Sequence, residues 1–225
     1  MKALKGFYGK DLDIPDIIRL IARYSKEYKN LIFTKLNKDQ TFKDDFSFAW
    51  SNKNMHGEGK GVSNLLGYTF EDETMLVYHE NYLLGSMSNS LKEKVAIISA
   101  GTSDKAVLNE TKLTLDGLEI PSKEYLDYGI NNFSELKQIL DKKSPSKVVI
   151  AIQGFEGALA PVVASTTLKP IISVPTNTGY GLGGDGTSAL MTSLNSCVSG
   201  ITTVNINNGY GAAMAASRIV HESNK

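Results

Sequence analysis

One cysteine and one glutamate set between two glycines carry the functional groups in this sequence best suited to chemistry. Cys197 is the sole thiol, so no intrachain disulfide is possible and a cysteine-based zinc site is not expected. A lone cysteine commonly packs as an inert core residue. Here Asn195, Ser196 and Ser199 surround it, polar company that fits exposure to a site and use as a nucleophile. Glu156 lies in QGFEGALAP, between Gly154 and Gly157 and just ahead of an apolar helix. A carboxylate there suits a general base tuned by partial burial, or an ordinary first-turn glutamate favoured by the helix dipole.

Glycine-rich loops surround these two residues. SAGTSD combines Gly101, where the backbone turns closely, with the hydroxyls of Thr102 and Ser103. With Asp104 it leads into a helix N-terminus, a cradle for phosphate or carboxylate, though taken alone it reads as a plain cap. VPTNTGYGLGGDGTS starts at Val174, holds five glycines and includes Thr176, Gly179, Tyr180 and Gly181. So many glycines fit close approach to a ligand, a mobile lid, or a flexible connector. NINNGYGAA carries Asn207, Asn208, Gly209 and Gly211 straight into the last helix.

The elements that must hold these loops alternate regularly from Lys94 onward. KVAIISAG, KVVIAIQG, PIISVPT and ITTVNI are short apolar runs, as in strands buried on both faces, and LEIPSKEYLDYG reads as another strand and its loop. Helices are expected from about Asp104 to Leu115, around Phe133 to Leu140, from Gly157 to Ser165, Ser188 to Leu194 and Gly211 to His221. The expectation is an α/β fold: a parallel sheet with helices on both faces and the ligand beyond the carboxyl ends of the strands. Residues 1–90 read differently, as a small α+β region, with residues 91–225 forming the α/β domain. In the first part Ile14 to Tyr28 spaces its apolar residues as a helix, and Leu31 to Leu36 reads as a strand. Asp39 to Gly61 reads as a polar loop with Trp50 packed beneath it, and Glu71 to Ser90 as a weak helix or linker.

Composition narrows the function. The 225 residues include 24 Lys plus Arg and 24 Asp plus Glu, so no net field favours nucleic acid or an anionic membrane, and neither is expected as a partner. The start of the chain lacks a signal-peptide pattern and no stretch is long and apolar enough to span a bilayer, so cytoplasmic residence is expected. His56, His79 and His221 are scattered without metal-ligand spacing.

Six stretches in order resemble the LarB family, the carboxylase/hydrolase that begins nickel-pincer cofactor synthesis on a PurE-like (flavodoxin/Rossmann-like) fold. They are AGTSD from Ala100, DYG with Asp127, GFEGAL, VPTNTGYG, LNSC ending at Cys197, and VNINNGYGAA from Val204. The resemblance implies nicotinic acid adenine dinucleotide and carbon dioxide as substrates, with Cys197 and Glu156 catalytic. It implies that Gly101 to Asp104 hold a phosphate or ribose and that Asn207 to Gly211 hold the other end of the dinucleotide. No tightly bound cofactor is implied. Mg2+ would help neutralise the diphosphate, yet no residue cluster demands it. A homo-oligomer, an octamer by resemblance, is implied too. The small-residue helix GAAMAASRI suits packing against another chain or against its own sheet. Two features depart from the family: Asn207 stands where an aspartate is usual, and FYGKDLD keeps only a trace of an N-terminal motif. The alternatives are a PurE-type aminoimidazole ribonucleotide carboxylase or mutase, and a non-catalytic nucleotide-binding regulator.

Overall fold

The computed structural model describes residues 2–37, 39–55, 67–78, 93–140 and 144–223. They fall into two compact units, one over Met1–Ser88 with Asp116–Glu119, the other over Asn89–Leu115 with Ile120–Lys225.

The first unit orders β1 (Lys2–Tyr8), α1 (Ile14–Tyr24), β2 (Tyr28–Thr34), α2 (Gln40–Met55), β3 (Gly67–Glu71) and β4 (Thr74–Tyr78). Its sheet runs β1-β2-β4-β3, with β1 and β2 parallel and the remaining pairs antiparallel. Asp13 starts α1 by accepting the Asp16 N–H at 2.8 Å, and Pro15 sits in the first turn, where its missing donor costs nothing. Ile17, Ile18 and Ile21 are buried on its inner face, each contributing about 2 kcal/mol of apolar burial.

Two expectations for this unit need correction. The polar stretch from Asp39 is the helix α2 as far as Met55, because Phe42, Phe46 and Trp50 recur four apart and line one face. Phe46 and Trp50 are buried and meet Tyr68 edge-on at 5.1 and 5.5 Å. Glu71 to Tyr78 is no helix or linker but half of a hairpin, turned at Asp72 with a left-handed φ of 51°. The remainder of both stretches, 56–61 and 79–90, lies outside the described residues.

Every element expected from Lys94 onward is present, with ends shifted by a few residues, and, save the last two residues of the helix that ends at Gly117, all lie in the second unit. These are β5 (Val95–Ser99), α3 (Lys105–Gly117), β6 (Ser122–Leu126), α4 (Phe133–Ile139), β7 (Val148–Gln153), α5 (Leu159–Thr166), β8 (Ile171–Pro175), α6 (Thr187–Leu194), β9 (Ile201–Thr203) and α7 (Gly209–Glu222). All five strands are parallel, in the order β6-β5-β7-β8-β9. β5, β7 and β8 are buried throughout, which is why they read as unbroken apolar runs. Ala96, Ile98, Val149 and Ala151 cluster with Leu136 of α4 and Leu159 and Val163 of α5 on one face. α7 packs on β7 and β8, and its Ala212, Ala213 and Ala216 are fully buried, so the small-residue stripe serves its own sheet. The strand order reverses between β5 and β7, and a doubly wound sheet opens its ligand crevice at that switch point. Among the described residues, no helix is long and apolar enough to cross a membrane.

Candidate functional site

The loops after β5 and β7 flank the switch point, and they carry Gly101 to Asp104 and Gly154 to Gly157. In the first, Thr102 and Ser103 are exposed while Asp104 is buried. Its carboxylate accepts the Thr176 hydroxyl hydrogen at 2.7 Å, a buried bond joining this loop to the one after β8. Asp104 and Thr176 therefore brace the site's floor. A side chain at Gly101 or Gly181 would meet nothing within 4 Å, so at these two positions the backbone stands open to a ligand.

Glu156 is exposed, where partial burial is the sequence expectation. Its backbone, by contrast, is firmly held. The Thr192 hydroxyl of α6 donates to the Glu156 carbonyl at 2.6 Å, and Gly157, at a φ of 71°, lets Ala189 of the same helix press against it. Phe155 donates its N–H to the Thr178 carbonyl at 2.8 Å, and Gly154 approaches Thr178 too closely for any side chain. The loops after β7 and β8 are thus zipped together.

Gln153, the last residue of β7, anchors that arrangement. It is buried, and its Nε2 donates to the Ser173 and Ser193 hydroxyls at 3.1 and 2.8 Å. Its Oε1 accepts the Ala160 N–H at 2.6 Å, capping the first turn of α5. One side chain joins β7, β8, α5 and α6. A polar residue closing an otherwise apolar strand is the signal that would have found it.

Among the described residues, three of the six non-glycine positions with a left-handed backbone fall at the same edge. Asp127, Phe155 and Asn207 each follow a strand and adopt left-handed φ values of 60°, 51° and 56°. Aspartate and asparagine tolerate this region, whereas Phe155 bears a cost of about 1–2 kcal/mol. Phe155 was not among the expected site residues. Its ring is partly exposed and meets the Tyr180 ring edge-on at 5.5 Å. Asn207 accepts the Asn177 N–H at 3.1 Å and donates to the Asn177 side-chain oxygen at 2.9 Å, closing the loops after β8 and β9 on each other. Asn208 caps α7 through the Gly211 N–H at 2.8 Å. Gly209 is buried against Thr111 and the Val107 carbonyl of α3 rather than facing the crevice.

Cys197 is exposed, as are Asn195 and, in part, Ser196, in the turn between α6 and β9. This turn feeds a strand instead of leaving one. The Gly200 carbonyl accepts the Ile171 N–H at 3.1 Å, which sets the turn's far end beside the start of β8. Its near end continues from Leu194, which directly follows Thr192 and Ser193 with their bonds to Glu156 and Gln153. The thiol-bearing segment and the Glu156 loop are therefore both tied to α6.

Among the described residues no three carboxylate, thiol or imidazole side chains come together. A cavity of about 630 Å³ between Lys137, Leu140 and residues 164–169 lies at the amino edge of the sheet, opposite the switch point.

An uncharacterized protein of Methanocaldococcus jannaschii is 31% identical over 220 residues, covering 96% of this chain and 79% of that protein. N5-carboxyaminoimidazole ribonucleotide mutase of the same organism is 38% identical over 87 residues, 38% of this chain and 53% of the enzyme. The crystal structure of Treponema denticola PurE is similar at a TM-score of 0.41 and 18% identity, covering 59% of this chain and 92% of that one. The family model for AIR carboxylase matches residues 94–225, the stretch holding the parallel sheet and every loop described above. The chain belongs to the AIR carboxylase family.

Proposed function

We propose that this protein carboxylates the pyridinium ring of nicotinic acid adenine dinucleotide and hydrolyses its phosphoanhydride, the LarB-type reaction. Family membership supports a carboxylase- or mutase-type enzyme. The observation that carries the finer reading is Cys197, the sole thiol and an exposed one, on a segment tied through α6 to the loop bearing Glu156.

A pyridinium carbon is electron-poor and does not attack carbon dioxide unaided. Addition of the Cys197 thiolate forms a carbon–sulfur bond and moves a pair of electrons into the ring, giving a neutral dihydropyridine. The neighbouring enamine carbon then attacks carbon dioxide, forming the carbon–carbon bond and a carboxylate. Glu156 takes the proton from that carbon, the ring electrons shift back, and the carbon–sulfur bond breaks to return the thiolate and restore aromaticity. Water cleaves the phosphoanhydride, releasing AMP and a biscarboxylate mononucleotide. On this reading the chain acts in the cytoplasm as a homo-oligomer.

A second reading follows from the similarity to the aminoimidazole ribonucleotide mutase. Mass spectrometry of the protein incubated with the dinucleotide and bicarbonate tests the proposal. AMP together with a doubly carboxylated mononucleotide is the expected result. Turnover of carboxylated aminoimidazole ribonucleotide instead supports the mutase, and dinucleotide bound without turnover supports a regulator.

A further inference from the structure

We propose that Phe155 and Tyr180 form a ring-binding corner beside Glu156, which takes the flat, electron-poor ring of the substrate and sets specificity for it. The inference rests on the pyridinium reading for the identity of the ring.

The argument starts from an unfavourable choice. Phe155 holds a left-handed backbone, a conformation that glycine or asparagine would adopt with less strain, and it does so on a loop without burying its ring. Phe155 is 45% exposed and Tyr180 82% exposed, so neither ring contributes a filled core position. The two nevertheless meet at 90° with centroids 5.5 Å apart, an edge-to-face pair that leaves ring faces presented to solvent.

The corner is braced rather than loose. The Phe155 N–H is bonded to Thr178, and Gly183 packs its backbone against that of Phe155, where a side chain would come within 3.2 Å of the Phe155 carbonyl. The next residue is Glu156, itself fixed by Thr192. A planar cation lying against a ring face gains quadrupole attraction, and a flat ring fills the angle between two perpendicular walls. A ribose phosphate gains neither.

The variant F155G separates this role from a structural one, because it removes the ring and the backbone strain together. The expected result is an unchanged or higher Tm, with binding of nicotinic acid mononucleotide weakened about tenfold or more in calorimetry and binding of ribose 5-phosphate unaffected. Y180L weakens the same ligand without changing the fold as read by circular dichroism. Unchanged affinity for the mononucleotide in F155G would overturn the corner. So would a smaller assembly in light scattering, which would show that the rings pack between copies of the chain. If the unaltered protein binds the mononucleotide through these rings yet forms no carboxylated product, the corner stands and the carboxylase reading falls. If product forms with the same KM in F155G, the reading stands and the corner falls.

Discussion

The Thr176 hydroxyl donates to the Asp104 carboxylate across 2.7 Å, and both side chains are buried. This bond links the loops after β5 and β8 across the intervening β7. T176V leaves a buried carboxylate without that donor and is expected to lower stability by about 2–3 kcal/mol in urea unfolding. T176S keeps the donor and should retain most of it.

Gln153 makes a second prediction. Q153L removes the cap on α5 and both donors to Ser173 and Ser193, although those two hydroxyls remain 2.8 Å apart and can still pair with each other. A loss of about 2–3 kcal/mol is expected. Hydrogen exchange should also speed up at the amides of 154–160 before it does in β5 or β7, since the cap holds that loop.

At Asn207, backbone and side chain make separable demands. N207D keeps the acceptor for the Asn177 N–H, and rotation of the Asn177 amide restores the second bond, so stability should stay within about 0.5 kcal/mol. N207V places a β-branched residue at a φ of 56° and should cost about 2 kcal/mol or more. Thermal unfolding of the two variants side by side measures the difference.

Much of this was legible in the sequence, for a physical reason. Strands buried on both faces, such as VAIIS and VVIAIQ, leave no polar alternation, and a glycine-rich turn follows or precedes their helices. The first unit was harder to read. α2 buries only a narrow stripe, Phe42, Phe46 and Trp50, among polar neighbours, and the β3–β4 hairpin turns on Asp72 without glycine or asparagine to announce it. At the site, residue types pointed to the loops but not to who bonds whom. Asp104 looks like a free cap and is a buried brace, and nothing in the residue type of Phe155 announces a left-handed backbone with an exposed ring.

Glu93 predicts a pH dependence. Burial pushes its carboxyl up from the ordinary 4.5, and the Tyr125 hydroxyl bonded at 3.0 Å, Lys123 and Lys169 only partly offset this. Its other oxygen is buried with no partner among the described residues. The folded state therefore holds the proton more tightly than the unfolded state. The stabilisation is complete below the unfolded value and is lost as pH rises through the folded one. E93Q should unfold at a higher urea midpoint than the unaltered protein at about pH 7, with the difference shrinking toward about pH 4.

The most direct test of the account is C197A, assayed by mass spectrometry with dinucleotide and bicarbonate after calorimetry shows that it still binds the dinucleotide. The account predicts that the doubly carboxylated mononucleotide disappears while binding persists. Product formed by C197A at the rate of the unaltered protein would contradict it.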